Sequence, residues 1–352
     1  MADALLLERA PLGLSLPTRG GLTGSDMTKL AQAAEDADFD AVFVAERVAD
    51  SLVMCQQMLS GTSTLTVGTA VLNARLRHPV QMAMTAMALA DASGGRFVLG
   101  LGTANDRLNE SMLGLGHVAP LPWMDEYLAV IRQTCGGGPV QFPGRYFEIS
   151  DLVVDRPSML PLRVYLGALQ AGMLRLAGRV ADGVILNLCS LAALTRSLSE
   201  LESVAQQREE DLDAPHILCV IQCCVSHDVE LAKHAARLAL LDYILHPAAA
   251  QIFADGAEAG LIEKLQEAVF SGNRDRAVAL VPDEFVDQFV VFGTPDQCAK
   301  RVRRYREAGV HMPVLFPRPI EDDWASAVWE LAESYRGLES VPAKGSRTQG
   351  TT

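Results

Sequence analysis

A short turn of small residues between a strand and a helix is the segment of this sequence best suited to bind a ligand. Residues 164–187 predict a strand, a turn, a helix and a second strand, and the turn reads Gly167-Ala168-Leu169-Gln170-Ala171-Gly172. The first N–H groups of a helix lack intrahelical partners and lie at the positive end of its dipole, so this turn can bind a phosphate group. The turn matches neither G-x-G-x-x-G nor the Walker pattern, which argues against a Rossmann dinucleotide site and a P-loop.

A second candidate is the pair Glu46 and Arg47, which follows an apolar run at residues 41–45. Arginine stays protonated near neutral pH and could hold an anionic substrate or cofactor group, while Glu46 could orient it or relay a proton. An ion pair that only stabilises the loop explains the same two residues equally well.

The sequence lacks the motifs of two other common kinds of site, a metal site and a Ser/His/Asp active site. The seven histidines show neither H-x-H nor H-E-x-x-H spacing, and Cys219, Cys223 and Cys224 lie in an apolar strand whose neighbours face opposite sides. We therefore predict that the protein holds no metal. A Ser/His/Asp arrangement has no supporting motif either.

The elements that must position these residues alternate between strand and helix along most of the chain. Eight such pairs in a chain of this length predict an α/β fold, a (β/α)8 TIM barrel, as one domain at 1–340. Two segments exceed the regular period: a hairpin insertion at 138–155 after helix 4, and a helical insertion at 229–285 between strands 7 and 8. The polar stretch 341–352 is predicted to be a disordered tail.

In such barrels the active site lies in the loops after the carboxyl ends of the strands. The residues at which the predicted strands end are therefore candidates for the site: Pro17, Glu46, Asn73, Thr103, Ala168, Asn187 and Phe316.

Two motifs, together with the turn at residues 167–172, resemble the luciferase-like superfamily of flavin- and deazaflavin-dependent oxidoreductases. VGTAVLNARLRHP at 67–79 is similar to the third strand of the branch that uses coenzyme F₄₂₀, an 8-hydroxy-5-deazaflavin, which includes methylenetetrahydromethanopterin reductases and sugar-phosphate dehydrogenases. FVLGLGTANDRLNE at 97–110 resembles the fourth strand of that branch. The resemblance covers the chain from Leu12 to Pro319.

The resemblance implies a non-prolyl cis peptide bond between Ala70 and Val71, behind the deazaflavin ring. It also implies that the turn at strand 5 holds the cofactor phosphate, and that Asp106 occupies the place of a catalytic acid. Missing Cβ atoms at Gly100 and Gly102 would let a flat ring approach the fourth strand. The residues expected to bind the cofactor are Ala70, Val71, Asn73, Gly102, Thr103, Ala104, Ala168, Leu169, Gln170, Ala171, Gly172 and Met173, and the catalytic candidates are Asp106, Glu46 and Arg47.

The chain departs from the sugar-phosphate dehydrogenases after the second strand, where those enzymes carry a proton-accepting histidine and this sequence reads FVAERVADS. This departure argues against sugar-phosphate activity. The leading prediction is an F₄₂₀-dependent oxidoreductase with an apolar organic substrate. One alternative is an FMN-dependent monooxygenase, which would use a similar pocket. The other is a non-catalytic barrel that only binds cofactor.

Composition limits the partners of the protein. The formal net charge of −13 over 352 residues argues against nucleic acid, since counterion release requires a basic surface. The longest nearly apolar run, at 217–225, is too short to cross a bilayer, and the amino terminus lacks the pattern of a signal peptide. We predict a cytoplasmic protein, and the resemblance implies a homodimer.

Overall fold

Eight parallel strands pair side by side and close into a barrel in the computed structural model of the protein. The structure describes residues 11–18, 21–46, 49–246, 249–254, 256–258, 260–320 and 323–335. The barrel strands β1 to β8 are, in chain order, Gly13–Leu16, Ala41–Val44, Thr66–Thr69, Phe97–Gly102, Arg163–Gly167, Gly183–Asn187, His216–Val225 and Met312–Pro317. Strand β8 pairs with both β7 and β1 and so closes the ring. The predicted TIM barrel is confirmed.

Helices follow the strands and cover the outside of the barrel. In the described residues, α1 to α13 are Gly24–Asp36, Ser51–Gly61, Pro79–Ser93, Pro120–Gly136, Ala171–Val180, Leu191–Glu202, Val229–Ile244, Ala249–Ile252, Leu261–Phe270, Arg274–Leu280, Asp283–Phe289, Pro295–Glu307 and Trp324–Tyr335. Short 3₁₀ turns lie at Ala74–Leu76 and Ala205–Gln207, and a π-helical segment lies at Arg107–Met112.

A capping box fixes the start of α12, as the sequence TPDQ predicts. The Thr294 hydroxyl accepts from the Gln297 N–H, and the Gln297 side chain accepts from the Thr294 N–H, with Pro295 at the first helical position. This start sets the direction of the last crossover helix before β8.

A two-stranded hairpin follows α4, within the segment where the sequence predicts one. Strands Gly138–Pro143 and Glu148–Val154 pair antiparallel. The Glu126 carboxylate on α4 accepts from the N–H groups of Arg145 and Tyr146 at 3.0 and 2.8 Å, so the hairpin turn is held against that helix.

Helices α7 to α11 lie between β7 and β8 and form a core of their own. The rings of Phe253, Phe285 and Phe289 pack at 4.9 to 5.3 Å between centroids. The segment ends in a short strand, Val290–Gly293, that pairs with the end of β7 at Gln222 and that the sequence reading missed. The insertion therefore adds a strand as well as helices to the carboxyl end of the barrel.

Apolar side chains fill the barrel interior only in part. Phe43, Tyr165 and Leu218 belong to an inner cluster that Val71 and Phe316 join towards the carboxyl end. Above these residues the interior opens into a cavity. Among the described helices, none combines the length and apolarity that a membrane span requires.

Candidate active site

A cavity with a volume of about 770 Å³ opens at the carboxyl end of the barrel. Five of the seven strand-end residues named from the sequence line it: Pro17, Thr103, Ala168, Asn187 and Phe316. The other two, Glu46 and Asn73, lie behind its wall. The location follows the rule for TIM barrels, in which loops after the strands form the site.

One wall of the cavity consists of backbone and small side chains from β3 and β4. Ala70 and Val71 line it and are joined by a cis peptide bond, at the position that the family resemblance implies. Gly102, Thr103 and Ala104 continue the wall. Such a surface, poor in long side chains, leaves room for a flat ring.

The glycines of β4 serve the packing of this wall. A Cβ atom at Gly100 would lie 1.8 Å from the Thr69 carbonyl oxygen, and one at Gly102 would lie 2.7 Å from a Val71 methyl group. The Thr69 hydroxyl also donates to the Gly100 carbonyl at 2.8 Å and accepts from its N–H at 2.9 Å. The sequence predicts that the missing Cβ atoms at Gly100 and Gly102 make room for a flat ring. In the structure, the neighbouring strand fills that room at Gly100, and Val71 fills it at Gly102.

Glu46 supports the wall from behind. Its carboxylate accepts from both terminal nitrogens of Arg77, at 3.0 and 2.6 Å, and from the Asn73 N–H at 3.1 Å. These hydrogen bonds raise the pKa of the Arg77 guanidinium. The sequence suggests Arg47 as the partner of Glu46, whereas the structure gives Arg77; Arg47 lies outside the described residues.

Asn73 connects the end of β3 to the loop after β4. Its side-chain amide donates to Asn109 Oδ1 at 2.8 Å, and the Asn109 amide donates to the Thr103 carbonyl at 2.7 Å. Asn73 and Asn109 are both buried. Asn73 thus holds the cavity wall in place. Ala104, the residue after Thr103, has a left-handed φ of 54°, a conformation that residues with a Cβ rarely adopt.

The turn after β5 lines the cavity next to the β4 wall, because β5 pairs with β4. Ala168, Leu169, Gln170, Gly172 and Met173 line it, and α5 begins at Ala171. Gln170 occupies the N-cap position, but its side chain donates to Gln251 on α8 at 2.6 Å instead of capping the helix. Among the described residues no side chain caps α5, so its first N–H groups are available to a ligand.

A smaller cavity of about 200 Å³ adjoins this turn. Leu169 and Ala171 line it from one side, and Arg196 on α6 lines it from the other. A guanidinium near an open helix N-terminus provides charge for a phosphate group.

Asp106 lies at the mouth of the main cavity and is exposed to solvent. Asp106 precedes the π-helical segment. Its carboxylate lies near the carboxylate of Glu110 and the imidazole of His117, and one possible metal-ligand atom from each residue lies within 4.8 Å of the other two. This cluster is open to solvent, and proximity alone gives it no role beyond hydrogen bonding.

The cavity-lining residues that the sequence did not predict include three polar ones across the barrel from β3: Gln222, Tyr243 and His246. Gln222 lies in the apolar strand HILCVIQCCV, where a single amide in an otherwise apolar run is the only local signal. Tyr243 and His246 come from the end of α7 in the helical insertion. Their sequence, LDYILHP, gives no indication that the insertion folds back over the barrel.

Comparison with known proteins identifies the family of this chain. The family model of luciferase-like monooxygenases matches residues 11–312. The 5,10-methylenetetrahydromethanopterin reductase of Methanopyrus kandleri is 25% identical over 331 residues, covering 89% of this chain and 93% of the relative.

Solved structures share the fold. The coenzyme F₄₂₀ dependent tetrahydromethanopterin reductase from Methanopyrus kandleri superposes with a TM-score of 0.78 at 20% identity, over 92% of this chain and 98% of the other. The type II Baeyer–Villiger monooxygenase of Pseudomonas putida, in complex with FMN, gives 0.67 at 15% identity, over 94% and 98%. Because the matched residues include the β3 and β4 wall, the turn after β5 and most of the insertion, the chain belongs to the luciferase-like monooxygenase family.

Proposed function

We propose that the protein is an F₄₂₀-dependent oxidoreductase that transfers a hydride between C5 of the deazaflavin and an organic substrate with a largely apolar body. The observation that carries this proposal is that one cavity joins a flat wall of small residues to the uncapped start of α5. A single molecule with a flat ring at one end and a phosphate at the other would contact both parts of this cavity. The similarity to the tetrahydromethanopterin reductase of Methanopyrus kandleri, which is described as coenzyme F₄₂₀ dependent, supports this cofactor.

The residues present fit such a cofactor in two places. Ala70, Val71, Gly102, Thr103 and Ala104 would contact the ring, and Ala168 to Met173 would hold the phosphate through backbone N–H groups. Bound F₄₂₀ would supply a carbon at position 5 that accepts or gives a hydride, so the protein residues would bind and orient the reactants, exclude water and move protons.

The substrate would occupy the side of the cavity that faces the ring wall. Strands β7 and β8 lie across the barrel from β3 and β4 and contribute Val220 and Phe316 to the lining. Those side chains are apolar, which supports an apolar substrate body. Asp106 is proposed to exchange protons between the cavity mouth and solvent, and Glu46 to position the ring wall through Arg77.

Titration with oxidised F₄₂₀ and, separately, with FMN tests this function, with quenching of cofactor fluorescence as the measurement. Tight binding of F₄₂₀ and weak binding of FMN is expected. The reverse result would favour an FMN-dependent monooxygenase, to be checked by oxygen uptake with reduced FMN. Binding of neither would contradict both enzyme assignments and favour a barrel that binds no flavin.

Arg196→Met provides a variant that probes the phosphate end. Loss of a charged hydrogen bond costs about 1.5 to 3 kcal/mol, so F₄₂₀ binding should weaken at least about tenfold. Arg179→Met is the matched control, because Arg179 lies in the last turn of α5, away from both cavities.

The homodimer stays a prediction, which light scattering can check.

A further inference from the structure

Two buried amide oxygens at the main cavity have no hydrogen-bond partner among the described residues. They are Asn187 Oδ1, at the end of β6, and Gln222 Oε1, on β7, and both side chains line the cavity. Gln222 is fully buried, so bulk water does not reach its oxygen. A buried acceptor without a donor is costly to a protein, and such atoms are uncommon in folded chains. The two oxygens therefore indicate that a ligand supplies the missing donors.

The pairing of β6 with β7 places the two amides on one side of the sheet. Asn187 pairs with Val220 on β7, and Gln222 lies two residues further along the same strand. Because side chains alternate between the faces of a strand, Val220 and Gln222 point to the same side, and Val220 lines the cavity. Asn187 and Gln222 are thus diagonal neighbours on adjacent strands, and one ligand group between them can contact both oxygens.

The Tyr243 hydroxyl adds a donor to these two acceptors. The Gln222 amide nitrogen donates to the Tyr243 oxygen at 3.1 Å. Tyr243 accepts in that contact, so its own O–H is available to donate to a carbonyl oxygen. Tyr243 comes from the last turn of α7 and lines the same cavity. The β6 and β7 side of the cavity, across the barrel from β2 and β3, therefore presents two acceptors and one donor.

The surroundings of the two oxygens favour a neutral ligand group. Among the described residues that line the main cavity, the one carboxylate is Asp106, which is exposed at the mouth. Ile185 and Val220, two residues before the amides on their strands, are buried and line the cavity as well. A buried ammonium or guanidinium group requires a counter-charge, and two acceptor oxygens repel a carboxylate. A hydroxyl has a single proton for two acceptors, whereas an NH₂ group has two.

We propose that Asn187, Gln222 and Tyr243 determine specificity for a substrate that carries an unsubstituted carboxamide beside its apolar body. One N–H of the carboxamide donates to each amide oxygen, and its carbonyl oxygen accepts from the Tyr243 O–H. The carboxamide anchors the substrate and keeps all its bonds, so the carbon that exchanges a hydride lies elsewhere in the molecule. This inference rests on the proposed function, which places the substrate opposite the ring wall.

Binding of three ligands of similar shape tests this recognition. Cyclohexanecarboxamide has two N–H donors and a carbonyl group, acetylcyclohexane has a methyl group in place of the NH₂, and cyclohexanecarboxylate has only acceptors. Ligand-observed NMR titration measures the dissociation constant of each, with the F₄₂₀-loaded protein and with the protein alone. We expect the carboxamide to bind at least about tenfold more tightly than the ketone, because the ketone leaves both amide oxygens unpaired. Equal affinities, or tighter binding of the carboxylate, would overturn the proposal.

Two variants assign this preference to the amides. Asn187→Leu and Gln222→Met should each lower the ratio of the ketone and carboxamide dissociation constants about fivefold or more. General damage to the cavity would weaken both ligands together and leave the ratio unchanged. Gln56→Met is the matched control, because Gln56 is an exposed amide on α2. Fluorescence quenching should show that all three variants retain F₄₂₀ binding.

The outcomes distinguish this inference from the proposed function. Failure of the unmodified protein to bind F₄₂₀ contradicts the proposed function, and the preference for the carboxamide is still measured with the protein alone. Absence of carboxamide binding contradicts the carboxamide class. A ratio that neither variant changes contradicts the assignment to Asn187 and Gln222, and so does a loss of F₄₂₀ affinity, which would show that the amides contact the cofactor.

Discussion

Glu46 accepts hydrogen bonds from both terminal nitrogens of Arg77, and its backbone N–H donates to the Val71 carbonyl at 3.1 Å. The same carboxylate accepts from the Asn73 N–H. Glu46 thus holds the segment from Ala70 to Asn73 at two points, the Val71 carbonyl and the Asn73 N–H, while Arg77 fixes the Glu46 carboxylate. The exposed fractions of the two side chains are only 9% for Glu46 and 15% for Arg77, so water competes little for these bonds.

Replacing Arg77 should therefore destabilise the protein and weaken cofactor binding together. Removing one partner of a buried pair costs about 3 to 5 kcal/mol, because the other charge is left without compensation. We expect Arg77→Met to lower the free energy of unfolding by about 3 kcal/mol, measured by urea denaturation, and to weaken F₄₂₀ binding.

The exposed pair of Arg156 and Asp91 provides the comparison. Arg156 is 59% exposed, and surface pairs contribute about 0 to 1 kcal/mol, so Arg156→Met should change stability little. If both variants lose the same stability, the Glu46–Arg77 pair has no special role in the wall.

The fold was predictable from the sequence because its signals are local. Alternating apolar strands and amphipathic helices, the capping box at Thr294 and the small-residue turn at Gly167 each lie within a few neighbouring residues. The cis peptide bond at Ala70 could be placed only through family resemblance. The motif at 67–79 therefore locates a backbone feature that the periodicity of apolar residues does not indicate.

The composition of the site was less predictable because its contacts span long stretches of chain. Glu46 pairs with Arg77, 31 residues away, although Arg47 is its neighbour in sequence. His246 meets Asn105 across 141 residues, through an insertion without any periodic motif. Only the packing of that insertion over the barrel brings the histidine to the cavity.

Stability should fall in mild acid because of a histidine pair at the amino-terminal end of the barrel. His216 and His311 stack with centroids 5.1 Å apart, and the Tyr165 hydroxyl lies 3.2 Å from His216 Nδ1. Burial lowers the pKa of His216 to about 4, with the nearby His311 and Arg163 acting in the same direction.

The direction of the pH effect follows from which state binds more protons. An unfolded histidine titrates near pH 6.5, so between about pH 6.5 and 4 the unfolded chain binds protons that the folded His216 excludes. The urea midpoint should be highest above pH 6.5 and fall as the pH approaches 4. His216→Gln should flatten this fall, whereas His234→Asn on the surface should leave it unchanged. A profile that His216→Gln does not alter would assign the acid sensitivity to other groups.

Gly100→Ala should disrupt the wall between β3 and β4. The new Cβ would lie 1.8 Å from the Thr69 carbonyl oxygen, so one of the two strands has to move. Overpacking of this kind costs about 1 to 3 kcal/mol or more, and we expect a loss near the upper end together with weaker F₄₂₀ binding.

Gly136→Ala is the matched control, because a Cβ there has nothing within 4 Å and the residue lies at the end of α4. Alanine is better than glycine in a helix by up to about 1 kcal/mol, so this variant should be neutral or slightly more stable. Thermal unfolding of both variants measures the contrast. Equal melting temperatures would show that β3 yields to a methyl group at Gly100 without cost.

Gln222→Met tests whether the buried amide on β7 stabilises the fold. Gln222 is fully buried, and its Oε1 atom has no hydrogen-bond partner among the described residues, while its nitrogen donates to Tyr243. The substitution loses one hydrogen bond, worth about 0.5 to 1.5 kcal/mol, but also removes a buried unpaired oxygen that costs about 1 to 3 kcal/mol. These effects oppose each other, so urea denaturation should show unchanged or slightly higher stability. A large loss of stability would instead make Gln222 a structural residue of β7.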